Sequence, residues 1–287
     1  MQGIASPSFV SMPKRNSSVV GREFGAGVRY AIEQSGLTQR QLAELLDWQE
    51  AKISDLVQGK GGVNEVDLVR LLSYCRAPAA DVEHLLALFR ESREKGWLLF
   101  PEDGVPDQVH SLISQERLAS KITVWSMNLV PGHLQIAGYI RAAAEKSAKI
   151  KPADIDALIR TKLDRQAILS PGREFVYFVH EQALRLPVGG PDVMRSQLNH
   201  IHMMLVRKYI TFRIVPVAIG AHAGLSGSFT QLSYHKYEPV IFIESENSGL
   251  FLEDKGSLAS YAEVLKRLDQ DALDAEQSER VIATMLA

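Results

Sequence analysis

Eight histidines, 34 acidic residues and one cysteine are the side chains of this 287-residue chain that could hold a metal ion or move a proton. Their spacing argues against both. His200 and His202 lie two apart in a stretch of helical periodicity, which turns them about 200° from one another, so they cannot share an ion. The i, i+4 histidine pair of a helical zinc site is absent. His180, His222 and His235 sit near expected strand ends and would meet only through the tertiary fold. Glu181 beside His180 could pair with it as acid and base, but a polar residue capping a strand-to-helix junction is the simpler account. Ser226, within Gly224-Leu225-Ser226-Gly227, lacks the spacing of a nucleophile elbow. Gly25-Ala26-Gly27 follows no strand, and Gly59-Lys60-Gly61-Gly62 lacks P-loop spacing. The stretch 220–224 reads first as a hairpin connection and only second as a small-ligand loop. No catalytic residue, cofactor or metal is expected.

Hydrogen bonding to nucleic acid is the chemistry that the spacing does support, in residues 37–59. Thr38 and Gln41 form a capping box, and Leu37 and Leu42 flank it as a hydrophobic staple. A helix over 39–46 then stops at Asp47-Trp48, where Asp47 must adopt the left-handed backbone that usually calls for Gly. A second apolar pattern follows, with Ile53 and Leu56 three apart on one face. Small Ala43 stands where the two helices must approach. This is a helix-turn-helix, whose second helix enters the DNA major groove and offers its N-terminal side chains to base edges.

The motif resembles the XRE class of bacterial regulators, the group that includes phage repressors. That resemblance implies a phosphate contact from Gln39, with Arg40 beside it. Gln49, Glu50, Ala51 and Asp55 would face the groove, and Lys52 and Ser54 would reach the backbone. Gln58-Gly59-Lys60 looks like the Asn-Gly-Lys turn of relatives and brings in Lys60. The chain departs from the pattern where Asp55 replaces a frequent Arg and Val57 a frequent Glu. With Glu50, Lys52 and Asp55 the second helix is net acidic. Acids can accept from cytosine N4 but repel phosphate.

The remaining sequence must position this motif. A formal charge of −2 gives no global attraction to nucleic acid, and residues 1–60 carry seven Lys/Arg against six Asp/Glu. Binding should therefore depend strongly on salt and on a second copy. The lone Cys75 excludes an internal disulfide and fits a reducing cytosol. No apolar run spans a membrane and no signal-peptide core is present, so a cytoplasmic protein without membrane contact is expected.

Residues 1–20 read as a flexible tail, and 21–95 as an all-α domain. Its helices run over 21–34, along the motif, after Asn64 and from Asp81. Pro101-Glu102-Asp103-Gly104-Val105-Pro106 marks a linker over 96–108. Over 109–287 helices and strands mix. Helices are expected at 109–119, 133–146, 152–169, 192–207, 257–268 and 275–286, with a short one near Gln182. Strands are expected at 121–127, 174–180, 210–216, 228–234, 240–244 and 250–252. The fold class is thus two-domain: an all-α, lambda-repressor-like N-terminal domain and an α+β (mixed α/β) C-terminal domain. Trp125, Met127, Tyr139, Phe175, Tyr177 and Phe178 read as core before they read as a pocket.

Leu129-Val130-Pro131-Gly132-His133-Leu134-Gln135, followed by Gly138-Tyr139-Ile140-Arg141-Ala142, resembles the "VPGLLQ" signature of a C-terminal domain in actinobacterial XRE-type regulators. Arg165-Gln166-Ala167-Ile168-Leu169, Glu181-Gln182-Ala183-Leu184-Arg185, Gln197-Leu198 and Gly227-Ser228-Phe229 match in the same order. His133 stands where relatives commonly carry Leu. This resemblance implies a transcription regulator of antitoxin-like arrangement that binds double-stranded DNA as a homodimer. A small-molecule effector or a small partner protein encoded nearby would act on the second domain. The competing expectation is an antitoxin-like interaction module that sequesters that partner.

Overall fold

The computed structural model describes residues 18–92, 97–99, 107–148, 150–245 and 248–287. The chain divides into two compact units, Met1–Ser92 and Arg93–Ala287.

The first unit contains α1 (Val19–Ser35), α2 (Gln39–Leu46), α3 (Glu50–Val57), α4 (Glu65–Tyr74) and α5 (Ala79–Glu91). Three of these helices start on side-chain caps. Ser18 accepts from Gly21 N, Thr38 from Gln41 N and Asn64 from Asp67 N. Each bond satisfies an N–H that the helix itself cannot. The Ser18 cap corrects the tail expected over 1–20, because Val19 and Val20 are helical and buried. Residues 1–17 of that tail lie outside the described residues. The α1 stripe Phe24, Val28 and Ile32 is buried together with Leu42, Leu46, Ile53, Leu56, Leu68, Leu85 and Phe89. Each such side chain contributes about 1.5–3 kcal/mol by leaving water.

The second unit is built on one seven-stranded sheet. Its strands are β1 (Trp97–Leu99), β2 (Lys121–Ser126), β3 (Glu174–His180), β4 (Ile210–Val215), β5 (Phe229–Ser233), β6 (Val240–Glu244) and β7 (Gly249–Leu252), in the spatial order β1-β7-β6-β5-β2-β3-β4. β2, β3 and β4 run parallel, and the other neighbouring pairs are antiparallel. Parallel neighbours need crossovers. They are supplied by α7 (Ala137–Ala144) and α8 (Ile155–Arg165), then by α9 (Glu181–Arg185) and α10 (Pro191–Met204). α6 (Asp107–Leu118) precedes β2, and α11 (Lys255–Asp271) and α12 (Ala275–Leu286) close the chain.

β3 alternates between the two faces of the sheet. Phe178 faces α11, packed with Trp125, Phe229, Ile241 and Leu268. Phe175 and Tyr177 face the other way, toward His133. Five of the six aromatic and Met candidates (Trp125, Tyr139, Phe175, Tyr177 and Phe178) are buried core.

Several expectations change in the folded chain. The linker expected over 96–108 includes β1, which pairs with the otherwise open edge of β7 (Trp97↔Phe251), and α6 begins at Asp107. Residues 96 and 100–106 of that linker lie outside the described residues. The helix expected over 133–146 is a 3-10 turn at Gly132–Leu134 and then α7. It breaks because the Gln197 amide donates to Leu134 O (2.6 Å) and accepts from Ile136 N (2.9 Å), which takes those backbone groups out of a helix. The helix expected over 152–169 narrows to α8 between two 3-10 turns. The stretch 220–224 is no hairpin, since it lies between β4 and β5, which β2 and β3 separate.

Candidate nucleic-acid interface

Helix α2 is fixed at both ends. Thr38 Oγ1 accepts from Gln41 N at 3.2 Å, while Thr38 N donates back to Gln41 Oε1 at 2.9 Å. At the other end Asp47 takes φ 56°, ψ 47°, and Trp48 N bonds Ala43 O at 2.9 Å. An aspartate meets the left-handed requirement because its short polar chain tolerates that region better than most. Ala43 is buried, as a close helix approach requires.

The motif closes on α1. Gly59 has φ 71°, and a Cβ there would lie 2.1 Å from Gly21 O, so no other residue fits without moving the backbone. A Cβ on Gly25 would in turn meet Gly59 N at 2.7 Å. The Gly-Ala-Gly stretch dismissed as a nucleotide loop thus includes a packing glycine. Arg29 donates to Val57 O (3.2 Å), tying the end of α3 to α1 again.

The nine side chains singled out for DNA contact fall into two groups. Gln49, Glu50 and Ala51 are exposed at the start of α3, and Gln49 occupies the N-cap without making a side-chain capping bond. Arg40 is exposed on α2 and pairs with Glu44 at 3.3 Å, with half-buried Gln39 next to it. The rest are engaged within the unit. Lys52 Nζ sits 3.1 Å from Asp67 Oδ2 and 3.8 Å from the centre of the Trp48 ring. Lys60 Nζ lies 3.2 Å from Asp55 Oδ1, and Gln58 donates to Ser54 Oγ at 2.9 Å. Both lysines of the motif are therefore already matched by a carboxylate. Asp67 is the partner that the sequence did not reveal, because it belongs to α4.

The second unit gathers polar groups on each face of its sheet. On one face Glu116, fully buried, receives Arg165 Nε and Nη2 at 2.6 Å each and faces His133 Nε2 at 3.0 Å. Burial alone would raise the Glu116 carboxyl. The Arg165 charge, His133 and their hydrogen bonds outweigh it and hold the carboxyl at about 2. Around this group the signature residues bond backbone. Gln135 donates to Val130 O, Gln166 to Gln135 O, and Tyr139 Oη accepts from Val130 N. The sequence marked these residues by resemblance, and the structure shows why they travel together: they satisfy a buried non-helical stretch.

On the other face His180 and His222 stack with ring centroids 5.2 Å apart, and Trp125 stands edge-on to both. Two of the three strand-end histidines thus meet. His235 does not, because it follows β5 at the end where Ser233 pairs with Lys121, whereas His180 ends β3 at the opposite end of the sheet. His180 Nδ1 caps α9 by accepting from Gln182 N, and His222 Nδ1 accepts from Gly224 N. Burial lowers both imidazole pKa values, with the neighbouring ring adding to the shift at His180. Glu181 turns away from this pair to Arg185 and Val217 N. Among the described residues no group of three or more His, Cys, Asp or Glu could hold a metal ion. No described helix is long and apolar enough to cross a membrane. Cys75 is buried, and burial pushes its thiol up.

Residues 23–85 match a helix-turn-helix domain, and residues 109–284 match a domain described as Domain of unknown function (DUF5753). No curated protein and no solved structure matches the chain. The first match covers the unit that carries the capping box, the left-handed Asp47 and the Gly59 closure, and supports a DNA-binding module. The second covers more than half of the chain, so this protein belongs to the DUF5753 family and carries a helix-turn-helix domain ahead of it.

Proposed function

We propose that the chain is a transcriptional regulator whose residues 21–95 bind an operator in double-stranded DNA and whose residues 109–287 control that binding. The observation that carries this reading is the exposed start of α3. Gln49, Glu50 and Ala51 stand exposed at the start of α3, after a turn set by the left-handed Asp47, in a motif that opens on a capping box and closes on a glycine contact. Such side chains read base edges, Gln as a bidentate partner of adenine and Glu as an acceptor from cytosine N4. Gln39 and Arg40 flank the reader at the start of α2. Asp55 faces the groove beside them, Ser54 reaches the backbone, and Lys52 and Lys60 each exchange a carboxylate for a phosphate on binding.

The protein acts as a homodimer on two half-sites about one helical turn apart, since one motif of this low charge supplies little phosphate attraction. The second unit responds to an effector or to a small partner protein, and the response alters dimer geometry.

The test is binding of the purified full chain to its own upstream DNA and to a scrambled duplex across a salt series. Tighter binding of the native duplex, lost in Gln49→Ala or Glu50→Ala with the fold intact, is the expected result. Equal and weak binding to both duplexes overturns the regulator. Co-purification of a small companion would then favour the antitoxin-like module.

A further inference from the structure

We infer that a groove on the helical unit, formed by the ends of α1, α2 and α4 and the start of α5, is a docking face for a second copy of this chain. This inference deepens the regulator reading and rests on its dimer. The groove encloses about 910 Å³ and is lined by Tyr30, Leu45, Tyr74 and Pro78, with Arg76 and Asp81 as its two charged residues. Tyr30 is 57 % exposed, Leu45 48 % and Tyr74 43 %, so three large side chains stand exposed in one groove among polar neighbours such as Gln34 and Ser73. Tyrosine is suited to such a face, because it offers a large apolar body with a polar tip and few rotors to freeze.

Charge identifies the occupant. A groove of one sign would fit a partner of the other. This groove carries one cation and one anion, and neither Arg76 nor Asp81 has an ion-pair partner among the described residues. A two-fold axis through the groove sets Arg76 of each copy against Asp81 of the other, so the face complements itself. Arg76 adds a second sign. It ends α4 at φ 54°, a left-handed position that glycine fills without cost. An arginine kept there costs the fold about 1–2 kcal/mol of backbone strain, which points to use of its side chain. None of the lining residues belongs to α3.

The test is the mass of the full chain by sedimentation equilibrium over a concentration series. Wild type is expected to dimerise. Arg76→Asp and Asp81→Arg, each placing like charges across the axis, should weaken the dimer ~10-fold or more. The combined R76D/D81R chain restores opposite charges and should recover the dimer. Leu45→Glu, on the exposed side of α2, should also dissociate it, and serves if either reversal loses helix content by circular dichroism. A monomeric wild type, a dimer indifferent to these changes, or a double reversal that fails to recover while folded would each overturn the face. Operator binding measured in parallel separates the two readings. A monomer that binds the native duplex specifically sinks the face and keeps the regulator; a charge-sensitive dimer that ignores the native duplex does the reverse.

Discussion

Lys52 in the helical unit and Arg165 in the sheet unit each face a carboxylate, and different physics holds the two pairs. Lys52 and Asp67 keep about a third and a fifth of their side chains in water, whereas Glu116 has none exposed. A pair like the first is worth about 0–1 kcal/mol and is screened by salt. A buried pair costs several kcal/mol of desolvation per ion, which only close geometry and further hydrogen bonds repay. The exchangeable charges of this protein thus lie on the face proposed for DNA, and the fixed charges lie where backbone must be organised.

Breaking the fixed pair should have the largest effect. Glu116→Gln leaves Arg165 buried without its counter-charge and should cost about 3–5 kcal/mol, read as a shift of the denaturant midpoint of the sheet unit. Adding Arg165→Met should recover part of that loss; strict additivity would mean that the two groups do not act as a pair. Next comes Gly59→Ala, which combines a left-handed backbone with a contact to Gly21 O and should cost at least about 2 kcal/mol in the helical unit. Melting followed by helix signal would check it, and an unchanged midpoint would disprove the close approach.

Acid separates the two faces of the sheet. The Glu116 carboxyl is depressed to about 2, so its stabilisation is present above the ordinary carboxylate range and lost as pH falls from about 4.5 through 2. His180 and His222 are also depressed, so their contribution is complete above about 6.5 and declines as pH drops below it. Stability measured against pH should fall in two stages, and His222→Asn should flatten only the upper one. At the helical unit, Lys52→Ala and Lys60→Ala should each reduce the salt slope of DNA binding by about one. A slope unchanged by both would mean that the lysines keep their carboxylates in the complex. The smallest expected effect is Asp47→Gly, a gain of about 0.5 kcal/mol from relieving a left-handed aspartate, offset in part by unfolded-state entropy.

Local order alone specified the elements. The box at Thr38-Gln41, the Asn64 cap and the alternation of Glu174–His180 give helix and strand from neighbours within four residues, and those elements stand where the sequence puts them. The start of α3, proposed as the reader, was legible for the same reason, because Gln49, Glu50 and Ala51 follow a turn set by local bonds at Asp47 and Trp48. The breaks in the expected helices were not. Gln197 ends the turn at Leu134 from some sixty residues away, and no local propensity encodes a donor from another helix.

The sequence by itself determined the two-part organisation, the order of most of the elements and the turn geometry at Asp47, since each follows from capping, periodicity and allowed backbone angles. Only the tertiary structure decided which charges are free. Asp67 reaches Lys52 from α4, Glu116 gathers Arg165 and His133 from later segments, and His222 meets His180 above the ends of the parallel strands. Electrostatic partners are chosen by distance in space, and a chain read residue by residue carries no measure of that distance.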